Sequence, residues 1–464
     1  MTVKNGLFIF HRDFRIQDNV GLLETNKLCE RLHVCFVFTP EQVGDQNQYK
    51  SSNSVQFMIE SLEELSRAII ENGGRLIVLY GDYVKQIDRL VDDLQIDMIA
   101  FNRDYTPYAI NRTKRITAYC DKKNIQCQTY SDYYLYEPGS IITNTGTAYK
   151  KYTPFYNEAI HRPVNKIMSK RSIHFGATNR FPYEITLKRA ATRFTQPNSN
   201  ILVHGGREQA LIKLNDAGKE QCKYSETRDF FITQTTHLSA YIKFGCVSIR
   251  EVYHSFHRKF GLKHGLIREL LWREFFAHVL YAYPQVVGSS YQPRYKSIEW
   301  TNNKTAFKKW QQGNTGFPLV DACMRQLNTT GYMHNRGRMV VASFLIKTLL
   351  IDWRWGEKYF AQQLTDYDIA SNNGNWQGIS GTGVDMKPYF RDMNPWIQSN
   401  KYDKEAEYIK RWVPELADVS PRDIHTWNTS NKLPKYKDIA YPKPMIDYAT
   451  QKERMLAMYE ATLS

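Results

Sequence analysis

The chain has 464 residues, and its 62 Lys and Arg against 47 Asp and Glu leave a formal charge of +15. That length exceeds one ordinary core and implies two or three domains, while the basic surplus favours a polyanionic partner, most commonly nucleic acid. No run of ~18 apolar residues exists and the start, MTVKNGLFIFHRDF, has too short an apolar stretch for a signal peptide, so a soluble intracellular protein of cytoplasm or nucleus, without a membrane partner, is expected.

The first 130 residues alternate strand and helix patterns. Apolar runs at Leu7–Phe10, Leu32–Phe38, Leu76–Tyr80 and Met98–Phe101 read as buried parallel strands. Helical stretches fall between and after them, around Ser54–Glu71, Val84–Leu94 and Ala109–Lys122. The rhythm predicts a Rossmann-like α/β domain with a doubly wound parallel sheet over residues 1–130. The first strand runs into HRDFRIQDN, not GxGxxG, so the dinucleotide fingerprint is missing from this half.

From about 131 to 205 the pattern breaks. Clusters such as EPGSIITNTGTAYKKYTPF and TRFTQPNSN predict a loop-rich interdomain linker with one helix. Residues 206–464 then carry long amphipathic segments and no β-like alternation, which predicts an all-α C-terminal domain. Seven cysteines (29, 35, 120, 127, 222, 246, 323) show no CxxC and no metal-ligand spacing. They read as reduced thiols, and no metal site is expected.

Three stretches of the helical half hold polar side chains where a core would be apolar. In MHNRGRM (Met333 to Met339), Asn335, Arg338 and Met339 sit at i, i+3 and i+4, on one helix face. DYDIASNNGNWQG (Asp366 to Gly378) packs two carboxylates, paired asparagines and a tryptophan into one short run. Buried amides and carboxylates are costly unless satisfied, so the pattern predicts a polar ligand inside the helical domain. Third, Gln234-Thr-Thr-His-Leu-Ser239 precedes a helical run, and hydroxyls with free N–H groups at a helix start suit an anion; taken alone, the same residues make an ordinary cap.

These strings resemble the flavin-binding signature of the DNA photolyase/cryptochrome family, most like class I cyclobutane pyrimidine dimer photolyases, and the resemblance runs over essentially the whole chain. It implies that the helical domain binds FAD. Thr235, Thr236, His237, Leu238 and Ser239 would hold the diphosphate together with Tyr224, although Thr236 and His237 replace the family's serine and arginine. Asn372 would lie against flavin N5, Asp368 would accept from the ring N3–H, and Arg338 would pair with Asp366 beside it. Trp376, Trp353 and Trp300 match the electron-transfer triad. Nine tryptophans in one chain also make three in a core unremarkable.

For the substrate, the resemblance implies DNA containing pyrimidine dimers, with the lesion flipped out of the helix. Glu269 and Trp272, at i and i+3 of RELLWREF, would join Asn335 and Met339 around it. Glu269 would hydrogen-bond and protonate the thymine, Trp272 would stack, Asn335 would bond a carbonyl and Met339 would pack on the base. Photolyases for the (6-4) product carry histidine at the Asn335 and Met339 places; here only His334 is present. The family's WQW reads Trp376-Gln377-Gly378, so a second stacking aromatic is missing. NRDYTPY at 102–108 resembles the antenna region, implying a folate or deazaflavin as a second chromophore without deciding between them. The reading is a monomeric, blue-light-driven lyase. Its rivals are a cryptochrome-type photoreceptor of the same fold and a non-catalytic nucleic-acid-binding protein.

Overall fold

The computed structural model describes residues 2–169, 171–177, 179–385 and 388–462. Five strands, β1 (Val3–Phe10), β2 (Cys29–Phe38), β3 (Leu76–Tyr80), β4 (Met98–Asn102) and β5 (Gln126–Tyr130), form one sheet in the order β3-β2-β1-β4-β5. Every neighbouring pair is parallel. The inner strands are buried on both faces, which is why they read as unbroken apolar runs. The edge strand β5, QCQTY, is half-exposed and polar, so it carries no such run and lay hidden in the sequence. Ser51, Asp82 and Thr106 each accept a backbone N–H at the start of the Ser52–Glu71, Tyr83–Leu94 and Pro107–Lys123 helices, fixing their first turns.

The stretch between sheet and helical unit contains two short helices, Tyr152–Ala159 and Leu187–Phe194, not one. Each is only eight residues long, and Pro and Thr interrupt the periodicity that would betray it. The stretch is also tied to the body: Phe175 bridges Leu32, and the Ile185 N–H donates to the Val78 carbonyl.

The α/β and helical units share one hydrophobic core, in which Phe57 of the Ser52–Glu71 helix meets the rings of Tyr241 and Phe244. A buried ionic cluster crosses the same boundary. Arg15 and Arg250 both donate to Asp132, and Arg250 Nε reaches Asp18 at 3.0 Å. Each of these charges is almost fully buried, which is tolerable only because each is paired. The units are therefore locked, and the end of β1 is held against the helical unit. Among the described residues no helix is long and apolar enough to cross a membrane.

Candidate active site

The helices Gly265–Ala282, Asn335–Ser343 and Ile369–Ser380, with the turn before Ser239–Lys243, enclose a cavity of about 320 Å3, the scale of a small-molecule site. Close approach is built in. A Cβ on Gly374 would sit 2.2 Å from the Phe276 ring, and one on Gly356 would sit 2.1 Å from Trp376. Asn335, Arg338 and Met339 all face the cavity, as do Asp366, Asp368, Asn372 and Trp376. His334 caps their helix with Nδ1 accepting from Arg336 N–H at 3.2 Å; burial pushes this histidine down to about 4, so it is neutral and able to accept.

Two carboxylates dominate the electrostatics. Asp366 Oδ2 accepts from Arg338 Nη2 at 2.9 Å and from Ser239 Oγ at 2.6 Å. Burial works to raise its pKa, but Arg338 and these hydrogen bonds outweigh burial and hold it below the usual carboxylate range. Its second oxygen, Oδ1, is buried with no hydrogen-bond partner. Asp368 caps the Ile369–Ser380 helix, accepting from Ser371 N–H at 3.0 Å. Against burial, Arg12 and Arg273, then the Ser371 N–H and Lys243, keep it ionised. Asn372 donates to the Glu357 carbonyl at 3.2 Å, which anchors its amide in the wall.

The TTHLS segment turns sharply into the Ser239–Lys243 helix. His237 takes a left-handed φ of +50°, and Thr236 Oγ1 accepts from Leu238 N–H at 3.3 Å. Tyr224, Thr236, Leu238 and Ser239 line the cavity. Thr235 and His237 stand behind it, the hydroxyl bonded to Tyr332 and the imidazole edge-on to the same ring. Burial brings His237 down to about 4, so it offers hydrogen bonds but no charge.

Glu269, which also lines the cavity, pairs with Arg228, both half-exposed. Burial pushes the Glu269 carboxyl above its ordinary value while Arg228 pulls it down. Trp272 lies flat on Tyr152, rings 3.5 Å apart and 6° from parallel. The first linker helix thus fixes the indole, a contact invisible in sequence. Among the described residues, a Cβ at Gly378 would meet only the Asp385 carbonyl, at 3.9 Å.

Trp376 is buried in the cavity wall, Trp353 is buried outside the lining and Trp300 is partly exposed. Among the described residues these three make no ring contact with one another; Trp376 packs edge-on against Trp310, 6.4 Å away. Sequence reasoning did not single out Trp310, nor the cavity-lining Arg273, Phe276 and Lys243. Arg12 and Arg228 were missed as well. Their only signal is charge or apolarity, which hundreds of other positions share.

A family model for DNA photolyase matches residues 7–168, and one for the FAD binding domain of DNA photolyase matches residues 266–461. The deoxyribodipyrimidine photo-lyase of Synechococcus sp. is 32% identical, covering 98% of this chain and 96% of its own. The chain belongs to the DNA photolyase family. Among solved photolyases, that of Sulfolobus tokodaii, described with two FAD molecules, is 37% identical with a TM-score of 0.87 over 98% of this chain and all of its own. A class III photolyase of Agrobacterium tumefaciens is 29% identical with a TM-score of 0.91, covering 100% of this chain and 98% of that one.

Proposed function

We infer that this photolyase-family chain is a deoxyribodipyrimidine photo-lyase, using blue light and FAD to repair pyrimidine dimers in DNA. One observation carries the reading: the carboxylates and arginine suited to a flavin (Asp366, Asp368, Arg338) and the residues suited to a flipped base (Glu269, Trp272, Asn335, Met339) all line one cavity. The residues fit the cofactor. Asp366 Oδ1 is a buried acceptor lacking a donor, as expected where a ligand hydroxyl or ring N–H completes the wall.

When bound and reduced, FAD supplies a light-absorbing electron donor. The chain's own groups then orient and hold. Arg338 clamps Asp366, and Asp368, kept ionised, accepts from a ligand N–H. Asn372, a neutral amide, would line the ring without offering a labile proton. Glu269, raised by burial, hydrogen-bonds the thymine and is placed to hold a proton there. Trp272 stacks on the flipped base, Asn335 bonds its carbonyl and Met339 packs on it. Trp376 would be the electron source from the protein side, with Trp353 and Trp300 resupplying it. Asn335 and Met339 favour the cyclobutane lesion over the (6-4) product. The +15 charge supplies the phosphate attraction such a substrate needs.

The reading extends to a second, light-harvesting chromophore in the α/β unit. His11 Nδ1, Arg112 Nε and the Tyr133 hydroxyl are buried there without partners. They cluster around the carboxyl ends of β1 and β4, where the strand order reverses and doubly wound sheets bind ligands. The Sulfolobus protein, described with two FAD molecules, implicates one as a light-harvesting cofactor. A cryptochrome-type photoreceptor is the rival function, favoured by the missing ring at Gly378. Denaturing the purified protein, identifying the released cofactor and assaying light-dependent repair of a dimer-containing oligonucleotide tests all of this. FAD with repair supports the lyase, FAD without repair the photoreceptor, and no flavin after incubation with excess FAD refutes both.

A further inference from the structure

Asp368 has cations on several sides, and one comes from the other unit. Arg12, two residues past β1, is held by Asp104 in a two-pronged pair at 2.8 and 2.9 Å, receives no freedom from Tyr134, whose hydroxyl accepts from it at 3.0 Å, and lies over the Tyr133 ring. So fixed, its Nη1 stands 3.6 Å from Asp368 Oδ2. From the helical unit come Lys243 and Arg273, whose Nη1 pairs with Glu274 at 3.3 Å and whose Nη2, among the described residues, is buried without a hydrogen-bond partner. Lys243 lines the cavity, reaches only the Ser54 hydroxyl at 3.4 Å and lies 4.2 Å from the Phe244 ring centre. Among the described residues no carboxylate comes within 4 Å of its ammonium. Burial brings Lys243 down to about 8, with Asp368 and Asp366 opposing that only in part, so below that pH it faces the cavity as a cation and favours negative charge on the ligand.

We propose that Arg12 is a positioning residue supplied by the α/β unit: it holds and neutralises Asp368, and with Lys243 makes this edge of the cavity electropositive, favouring reduced, anionic FAD over oxidised FAD. The proposal rests on the FAD reading above. Reduction of the oxidised flavin to its anionic form takes up two electrons and one proton, so the ligand gains one negative charge. An electropositive edge in a partly desolvated site stabilises that added charge. Without Arg12 the uncompensated Asp368 carboxylate opposes it.

The test is the two-electron midpoint potential of FAD-loaded protein, titrated anaerobically with dithionite at pH 7, below the value of about 8 to which burial brings Lys243. Arg12→Gln and Lys243→Gln should each lower the reduced-to-oxidised ratio at the wild-type midpoint at least tenfold, about 30 mV for a two-electron couple. Arg12→Lys should restore most of the loss. In an Asp368→Asn background Arg12→Gln should have little effect, because the residue acts through that carboxylate, whereas Lys243→Gln should keep its own. A wild-type potential in FAD-loaded Arg12→Gln overturns the proposal. If Arg12→Gln fails to fold or to hold FAD, Lys243→Gln decides, and an unchanged potential in it overturns the proposal equally. Wild-type protein that never takes up FAD refutes the functional reading instead.

Discussion

Gly378→Trp tests the lesion wall directly. The native glycine gives a flipped base nothing to stack on, and among the described residues only the Asp385 carbonyl, at 3.9 Å, meets a built Cβ. Gly378 sits inside the Ile369–Ser380 helix and is not in the left-handed region, so a side chain meets no backbone strain. Gly378→Ala should then stabilise the fold by about 0.5–1 kcal/mol through helix propensity alone. The tryptophan adds base–aromatic stacking, worth about 1–3 kcal/mol, which at about 1.4 kcal/mol per tenfold is roughly 5- to 150-fold in Kd. The assay is titration of dimer-containing and undamaged duplexes at two salt concentrations with the native, Ala and Trp proteins. Native affinity should fall steeply with salt, because phosphate contacts carry more of it, and single-stranded or mismatched lesions should bind comparatively well, since flipping costs less. The Trp variant should discriminate damage better and the Ala variant should not. Unchanged lesion affinity in a stably folded Gly378→Trp protein, or strong native discrimination at physiological salt, would refute the reasoning and mean that another side chain already stacks.

Trp376→Phe should severely slow photoreduction of oxidised flavin under blue light with an external reductant, while repair by chemically reduced protein changes far less; time-resolved absorption separates the two, and unhindered photoreduction contradicts its role. Glu269→Gln should lower repair yield per photon several-fold with an unaltered flavin spectrum, in keeping with about 1.5–3 kcal/mol for a charge-assisted contact; repair of (6-4) products in place of cyclobutane dimers would overturn the lesion assignment. Arg250→Met leaves Asp132 and Asp18 short of a partner and should destabilise the fold by about 3–5 kcal/mol in urea melts. Burial works against Asp132, yet Arg15 and Arg250 hold it below its ordinary value. Its contribution is therefore present above about pH 4 and lost as pH falls through the lower folded value, an acid limb that should shrink in Arg250→Met.

Much of the architecture was legible because its causes are local. Strands buried on both faces must be apolar throughout, so β1 to β4 stand out, and β3 was bounded to the residue. The polar strings around Asn335 and Asp366 announced a ligand because burying such groups without partners is costly, and helical spacing put Asn335, Arg338 and Met339 on one face. What remained hidden depends on neighbours distant in sequence. Strand β5 needs no apolar run because its edge of the sheet is half-solvated, whereas the other edge strand, β3, is buried. Trp272 is held by Tyr152, 120 positions earlier, across a ring contact that no periodicity encodes. Gly378 reads as a lost aromatic in sequence, and only the structure shows that, among the described residues, the Asp385 carbonyl alone meets a Cβ built there. The electropositive edge at Asp368 joins Arg12, Lys243 and Arg273 from two units, and charges so far apart in the chain become one site only when the buried Arg15–Asp132–Arg250 cluster docks the sheet against the helices.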